Sequence, residues 1–255
     1  MSLEIYKKEE QATGQFNGGA ILENKPIGFP QDRGILKPYS NILYWAHAWT
    51  PGEESLIAEH PHQGFEILSF VIEGSIKHYD TKLQQWQDLN EGDVQIIRAG
   101  NGISHAEQVN ANSAFFQIWF DPNLNISLNE AASYDNYQNS RFNTDESNGV
   151  TVKYYTGKNT SLEMSSNGVE IYEIVIENSS YSLPLDRSKT RSFYVLNGDL
   201  MANSVDMRQH DFGRFQDEET LQLASREKVR VFVIDLLKDP GYHTYAQQNG
   251  FREKG

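Results

Sequence analysis

The stretch HPHQGFEILSFVIEG, residues 60–74, decides the interpretation of this 255-residue chain. In an extended strand the side chains at positions i and i+2 lie on one face, so His60 and His62 point in the same direction. Pro61 lies between them and disfavours a helical conformation at His60. The stretch therefore predicts a strand that presents two imidazoles on one side of a sheet.

A second stretch, GDVQIIRAGNGISHAEQV at 92–109, repeats this geometry with His105 and Glu107, again two positions apart and after a glycine-rich turn. Three imidazoles and one carboxylate suit a borderline divalent transition metal, and they leave open positions around a six-coordinate ion. The chain has no cysteine, so nitrogen and oxygen are the ligand atoms on offer. The alternative is a polar cluster held by hydrogen bonds alone, and the presence of both pairs in one chain favours the metal site.

The composition indicates which partners are disfavoured and in which cellular compartment the protein is expected. The formal net charge is −13, with 35 acidic and 22 basic residues, which disfavours a nucleic-acid partner because phosphate binding needs clustered Lys and Arg. No apolar run reaches the length of a membrane span, and the start of the chain lacks the order of a signal peptide. Together with the lack of cysteine, this predicts a cytoplasmic protein with neither nucleic-acid nor membrane partners.

Short apolar stretches alternate with turns along the chain, and this spacing predicts an all-β sandwich or barrel with few helices. The first forty residues are rich in Gly and Pro, and we interpret them as an arm and loops. A polar tract rich in Asn and Ser, residues 129–148, is the predicted linker.

The second half looks like a weak copy of the first, because FVIEG (70–74) aligns with YVLNG (194–198) and FFQIWFDP (115–122) aligns loosely with FVIDLLKDP (232–240). We therefore predict two β-domains of one fold, over 1–128 and 149–255, the second with a C-terminal tail.

The repeat also indicates which half carries the chemistry. In the second half, the positions that correspond to the four candidate ligands fall near Pro184, Asp186, Leu223 and Ser225. None of these is a histidine, so we expect the metal site in the first half alone.

These motifs resemble those of the pirin family of bicupins, which includes bacterial quercetin 2,3-dioxygenases. The match rests on HPHQGFE (60–66), VIEGSIKHYD (71–80), GDVQIIRAGNGISHAE (92–107) and QIWFD (117–121). The resemblance implies two cupin-type barrels (double-stranded β-helix, jelly-roll) packed face to face as a bicupin. It also implies iron in the N-terminal barrel, held by His60, His62, His105 and Glu107, and a degenerate C-terminal barrel.

Several residues beside the ligands have roles that the sequence leaves open. Many relatives carry Arg where this chain has Gln63 and Asn101, so we expect a less basic entrance to the pocket. Glu66 lies four residues after His62 and should face the same interior if the strand is regular, either as a proton acceptor or as a structural hydrogen-bond partner. For His78, which follows a hairpin, we expect a structural hydrogen bond. Trp119 is expected to be core or interface rather than a substrate-stacking residue.

The function implied by the resemblance is a metal-dependent dioxygenase that opens a flavonol such as quercetin with O₂ and releases carbon monoxide. Glu107 or Glu66 would take the proton of the flavonol hydroxyl. Fe(II) is the expected ion, and nickel, copper, manganese or zinc would also accept these ligands. The alternative is an iron-binding regulatory protein whose metal site tunes a surface for a protein partner, because a fold does not fix a function. A solvent-reachable apolar pocket over the metal would favour the enzyme.

Overall fold

A computed structural model describes residues 2–157 and 160–250. These residues form twenty strands, two one-turn α-helices and three 3₁₀ turns, which confirms the all-β prediction. In chain order the strands are β1 Leu3–Tyr6, β2 Ala12–Phe16, β3 Ile21–Ile27, β4 Ile42–Trp49, β5 Ser55–His62, β6 Glu66–Glu73, β7 Ser75–Asp80, β8 Trp86–Asn90, β9 Val94–Arg98, β10 Ile103–Val109, β11 Ala114–Phe120, β12 Ser133–Tyr137, β13 Thr144–Ser147, β14 Val150–Tyr154, β15 Glu170–Pro184, β16 Lys189–Asn197, β17 Leu200–Ala202, β18 Val205–Met207, β19 Phe212–Phe215 and β20 Thr220–Leu237. The helices are α1 Leu124–Ser127 and α2 Tyr245–Gln248. Within the described ranges, neither helix has the length and apolar character needed to span a bilayer.

The strands cluster into two compact units. The N-terminal unit comprises Gln11–Asn139 together with the chain from Tyr242 onward. The C-terminal unit comprises the chain up to Glu10 together with Ser140–Gly241. The observed division therefore differs from the predicted domains 1–128 and 149–255 at both chain ends. Strand pairing explains the first difference, because β1 pairs antiparallel with β19 of the C-terminal unit.

The N-terminal unit is built from two antiparallel sheets. One has the strand order β12-β9-β6-β11-β4-β3-β2, and the other has the order β5-β10-β7-β8. Both sheets contribute to one apolar cluster, in which Val71 and Phe115 of the larger sheet pack with Ile76 and Val109 of the smaller one. Burial of this cluster between the sheets drives their association.

The first forty residues are only in part an arm and loops: they contain β1, β2 and β3, and residues 28–38 between β3 and β4 form a loop. Gly14 lies within β2, whereas Pro26 lies at an irregularity of β3. The ladder between β3 and β4 shifts register between Asn24 and Ile27, and Pro26 falls in this shift. Proline is tolerated there because a bulge does not need its missing N–H.

The tract 129–148 is also more ordered than the predicted linker. Its β12 adds to the larger N-terminal sheet by pairing with β9, and its β13 pairs with β14 of the C-terminal unit. Most of the side chains of β12 and β13 are exposed. Edge strands of this kind gain their stability from backbone pairing with a neighbour, so a polar composition hides them from a sequence pattern.

The C-terminal unit is organised around two long strands, β15 and β20, which pair over most of their length. The register of this ladder shifts between Glu177 and Ser179, which divides it into two halves. A large apolar cluster fills the unit and includes Phe193, Leu221, Leu223 and Val233.

Candidate metal centre

Three histidines meet at one end of the N-terminal unit. His60 and His62 lie on β5 and His105 lies on β10, and the ladder of these strands places His105 directly opposite His60. The Nε2 atom of His105 is 3.0 Å from Nε2 of His60 and 3.0 Å from Nε2 of His62. The spacing of the HPH motif and the pairing of the two strands thus bring these imidazoles together as the sequence predicts.

The protonation of these rings leaves lone pairs directed at a common point. The Nδ1 atom of His60 is 2.8 Å from the carbonyl oxygen of Ala58, and a proton on Nδ1 in this contact leaves Nε2 as an acceptor. Burial, together with the neighbouring imidazoles, lowers the pKa of His62 and the pKa of His105 to about 3, so both rings are neutral at physiological pH. A proton on one Nε2 atom can form a hydrogen bond in only one of the two close Nε2–Nε2 contacts. A cation can accept the lone pairs of all three Nε2 atoms. The donor set therefore fits a transition-metal ion.

Glu107 is held next to this trio by neutral donors. Ser69 Oγ and Gln95 Nε2 donate to its Oε1 at 3.1 and 3.0 Å, and Gln117 Nε2 donates to its Oε2 at 2.7 Å. Glu107 groups with His105 and His78, whose potential ligand atoms lie within 4.8 Å of one another, and His60 and His62 group with His105. The two groups share His105. The structure thus brings Glu107 beside His105, with its carboxylate oriented by three donors, but it does not place the ligand atoms of all four predicted residues within 4.8 Å of one another.

His78 makes the structural hydrogen bond that the sequence predicts. Its Nε2 is 2.8 Å from Asp80 Oδ2, and its ring stacks on Tyr134 of β12 at a centroid distance of 4.3 Å. Asp80 also accepts the backbone N–H groups of Lys82 and Leu83. These contacts fix the His78 ring beneath the trio.

The sequence interpretation did not identify the residues that orient Glu107. The sequence motifs assign no role to Ser69, Gln95 or Gln117. A signal for them does exist: each is a polar residue in an otherwise apolar strand, and buried polar groups need hydrogen-bond partners. Tyr134 extends the same network, because its hydroxyl donates to Gln95 Oε1 at 3.3 Å.

The structure places Glu66 away from the cluster. The sequence predicts that Glu66 faces the same side as His62 on one regular strand. This prediction fails because β5 ends at His62 and the chain turns through Gly64, at a φ of 77°, before β6 begins. On β6, Glu66 and Ser69 differ by an odd number of positions, so Glu66 lies on the face opposite to the one that reaches Glu107. Its Oε1 is 3.9 Å from Arg98 Nε. Of the two carboxylates proposed as a base, Glu107 alone belongs to the histidine cluster.

An aromatic wall borders the trio. The Trp119 ring meets His62 edge-on at a centroid distance of 4.8 Å, and Phe29 and Phe65 pack against Trp119 at 5.2 and 5.9 Å. His60, His62, Gln117 and Trp119 are all partly exposed, whereas His105 and Glu107 are buried. Trp119 is therefore both a packing residue and a wall of a site that solvent reaches. At the rim, exposed Gln63 donates from Nε2 to the carbonyl oxygen of Asn101 at 3.2 Å.

The strand ladders show what occupies the same positions in the C-terminal unit. In the N-terminal unit Ser69 pairs with Gln95 and with Gln117, and in the C-terminal unit Phe193 pairs with Gly213 and with Val233. The alignment of FVIEG with YVLNG makes Ser69 and Phe193 equivalent. The three donors to Glu107 are thus replaced by Phe, Gly and Val.

The ligand positions are replaced in the same way. His105 pairs with His60 in one unit, and Leu221 pairs with Leu183 in the other. By the same register the counterparts of the four candidate ligands are Leu183, Leu185, Leu221 and Leu223, one or two residues earlier than the sequence alignment predicts. All four leucines belong to the apolar cluster of the unit. The side chains that would bind a metal are absent from these equivalent positions.

Comparisons with known proteins agree with this geometry. The family model described as Pirin matches residues 31–120. The chain is 38% identical to Pirin-like protein 2 of Arabidopsis thaliana over 154 residues, which cover 56% of this chain but less than half, 46%, of that relative. It is 24% identical to quercetin 2,3-dioxygenase of Escherichia coli over 181 residues, 69% of this chain and 74% of that protein. The structure of the bacterial pirin YhhW from Escherichia coli in complex with nickel(II) superposes with a TM-score of 0.75 at 19% identity, covering 92% of this chain and 99% of that one.

The fold and the site define an all-β protein of the bicupin class, with a candidate metal centre of histidine and glutamate in one of its two units. Within that class the sequence match is specific. Its similarity is to the pirin family, whose model matches residues 31–120.

Proposed function

We propose that this chain is a metal-dependent dioxygenase that opens a flavonol such as quercetin with O₂ and releases carbon monoxide. One observation carries the proposal. The Nε2 atom of His105 lies 3.0 Å from the Nε2 atoms of both His60 and His62, and the rings of His60 and His62 are partly exposed. The Escherichia coli relative named quercetin 2,3-dioxygenase supports the choice of substrate. We propose the cytoplasm as its compartment, because the chain contains no cysteine.

In this proposal His60, His62, His105 and Glu107 hold one divalent ion, most favourably Fe(II), and nickel, copper, manganese or zinc would occupy the same donors. The ion supplies Lewis acidity and the redox chemistry that dioxygen needs. Glu107 accepts the proton of the flavonol 3-hydroxyl, since its carboxylate is buried and oriented by three donors beside His105. Both atoms of dioxygen remain in the ring-opened product, and the carbon that carried the hydroxyl leaves as carbon monoxide.

The aromatic wall gives the substrate its position. The flavonol rings would pack along Trp119, which lies beside His62, and along Phe29 and Phe65, which both contact Trp119. The rim residues Gln63 and Asn101 carry no charge, so we expect a neutral or weakly ionised substrate to enter more readily than a polyanion. The regulatory alternative requires a closed site with an apolar patch outside it, and the partial exposure of His60, His62 and Trp119 favours the enzyme.

The proposal is tested by incubating iron-loaded protein with quercetin under oxygen. We expect loss of the flavonol absorbance and release of carbon monoxide, and we expect the His62→Ala variant to have neither metal nor activity because it loses one of three convergent donors. His243→Ala is the matched control, since His243 is an exposed histidine of the same unit. Absence of both signals from the loaded wild type, or equal activity of His62→Ala, would contradict the proposal.

A further inference from the structure

A cavity lies within the C-terminal unit, where β14, β15, β16 and β20 lie side by side. Its volume is about 460 Å³, within the range that accommodates a small-molecule ligand. The rings of Tyr154, Tyr172 and Tyr181 contribute to its lining, and so do the side chains of Arg191 and Asp235. The proposed dioxygenase reaction uses none of these residues.

The polar side chains Arg191, Asp235 and Tyr172 of this lining are joined by hydrogen bonds. Arg191 Nε donates to Asp235 Oδ1 and Arg191 Nη2 donates to Asp235 Oδ2, both at 2.7 Å, and the Tyr172 hydroxyl donates to Oδ2 at 3.1 Å. Arg191 is 2% exposed and Asp235 is 3% exposed. Arg191 also donates to the carbonyl oxygens of Leu183 and Pro184. The ion pair is therefore held rigidly from several sides.

The fold does not require this ion pair. Arg191 pairs with Asp235 at the same point of the ladder at which Ile67 pairs with Trp119 in the N-terminal unit. An apolar pair therefore satisfies these positions in the same architecture. Burying two charges costs desolvation energy, and replacing a buried ion pair by apolar side chains is often neutral or stabilising. A buried Arg–Asp pair that lines a cavity is thus better explained by a ligand than by stability.

The charges at the cavity indicate the class of ligand. Arg191 is balanced by Asp235, and Glu170 at the edge of the cavity is balanced by Lys189, whose Nζ is 2.6 Å from Glu170 Oε1. The Asp235 carboxylate would repel an anionic ligand, and the Arg191 guanidinium would repel a cationic one. A neutral ligand avoids both repulsions, and aromatic side chains favour a planar ring.

We propose that this cavity binds a small neutral phenol, with the aromatic ring among the three tyrosines and the phenolic hydroxyl donating to the Asp235 carboxylate. Asp235 suits this role because its carboxylate is buried and fixed in orientation by Arg191 and Tyr172. The site is separate in sequence and in chemistry from the histidine cluster, and it needs no metal. It gives the C-terminal unit a binding function in place of the metal site that its leucines exclude.

The test is a titration of the full-length ¹⁵N-labelled protein with phenol, followed by backbone amide shifts. We expect saturable shifts in β14, β15, β16 and β20, and the same shifts in the His62→Ala variant. Benzoate and benzylammonium, which resemble phenol in size but carry a charge, should bind at least tenfold more weakly. The double variant Arg191→Met with Asp235→Leu should also bind phenol at least tenfold more weakly.

The matched control is Arg230→Met with Glu173→Leu, which removes a similar ion pair of the β15–β20 ladder outside this cavity. Wild-type affinity in this control and weak binding in the Arg191/Asp235 variant support the proposal. If the Arg191/Asp235 variant does not fold, the phenol affinity of Tyr181→Ala tests the proposal instead. Tyr79→Ala is its control, because it also removes a half-buried tyrosine. The proposal is overturned by phenol shifts that are absent or confined to the N-terminal unit, by a charged analogue that binds as tightly as phenol, or by cavity variants with wild-type affinity.

Discussion

At the scale of single residues, the hydrogen bond from Gln117 to Glu107 is one of three that orient this carboxylate at the candidate metal centre. Gln117→Leu keeps the size of the side chain and removes the 2.7 Å donor to Oε2. Loss of a partner that orients a ligand typically lowers metal affinity by about ten- to a hundredfold. We expect a decrease of that size for iron or nickel, measured by competition with a chelator.

Gln108→Leu is the matched control for this prediction. Gln108 directly follows Glu107 on β10, and its amide donates to Glu54 and Asn110 instead. It should bind the metal as the wild type does. Equal metal affinity of the Gln117 variant and the wild type would show that this donor does not orient the carboxylate.

Asp121 gives a prediction about pH. Burial raises the pKa of Asp121 from an ordinary value near 3.8 to about 7, against the opposing effect of the backbone N–H of Tyr245. Between about pH 4 and 7 the folded chain therefore holds this proton more tightly than the unfolded chain does, so the contribution of Asp121 to stability falls as pH rises. Asp121→Asn retains an acceptor oxygen and removes the ionisation.

The free energy of unfolding of both proteins should be measured in urea at pH 5 and pH 8. We expect the stability of Asp121→Asn relative to the wild type to be greater at pH 8 than at pH 5. Asp93→Asn is a useful control, because Asp93 is a turn carboxylate of the same unit that accepts backbone N–H groups at the surface. A relative stability of Asp121→Asn that does not change with pH would contradict the assigned pKa.

The sequence predicts the histidine cluster well because its spacing is local. His60 and His62 share a face through strand geometry alone, and one antiparallel ladder brings His105 beside them. Glu66 is placed differently because parity is lost at the Gly64 turn, whose positive φ no periodic pattern encodes. The donors to Glu107 come from three strands, and their convergence depends on long-range pairing that a single sequence does not state.

At the scale of elements, β16 and β19 show how the C-terminal unit closes the space that Glu107 and its donors occupy in the N-terminal one. A Cβ on Gly213 would lie 2.2 Å from the Phe193 ring. Gly213→Ala should therefore destabilise the unit by about 1–3 kcal/mol, the usual cost of an overpacked core. Urea unfolding of the purified variant measures this change.

Phe193→Leu in the Gly213→Ala background should restore part of the loss, because the smaller side chain makes room for the new methyl group. Gly52→Ala is the control, since nothing lies within 4 Å of its Cβ position. Additive effects of the Phe193 and Gly213 substitutions in a double-mutant cycle would show that the two side chains do not compete for the same space.

The elements that sequence patterns miss are those stabilised mainly by backbone pairing. β12 and β13 are polar and mostly exposed, so they resemble a linker until β9 and β14 are seen beside them. β3 contains a proline that only its register shift explains. By contrast, β6, β9 and β11 are nearly continuous apolar runs with the composition of buried strands, and the sequence predicts them directly.

At the scale of the whole molecule, the chain ends are exchanged between the units. β1 pairs with β19, and Glu4 and Lys7 form ion pairs with Arg214 and Asp211 at 2.6 and 2.8 Å. Deletion of residues 2–10 should lower the unfolding temperature of the C-terminal unit by about 5 °C or more, a shift that corresponds to about 1 kcal/mol for a unit of this size.

Hydrogen exchange locates the effect of this deletion. Amide protection should be lost in β19, while metal affinity, which depends on the N-terminal unit, stays at the wild-type value. Replacement of Glu4 and Lys7 by Ala, with the backbone intact, is the milder comparison. Unchanged protection in β19 after the deletion would show that β1 contributes nothing to the unit.

The exchanged ends have a practical consequence for anyone who wants the halves separately. A gene divided between codons 139 and 140 would encode two fragments, and each fragment would carry the strand or tail that the other needs. Neither fragment has all the segments of its own unit, so co-expression rather than single expression is the way to obtain folded material. The same property makes the chain a starting point for a complementation reporter, in which recovery of metal binding signals that two tagged proteins have met.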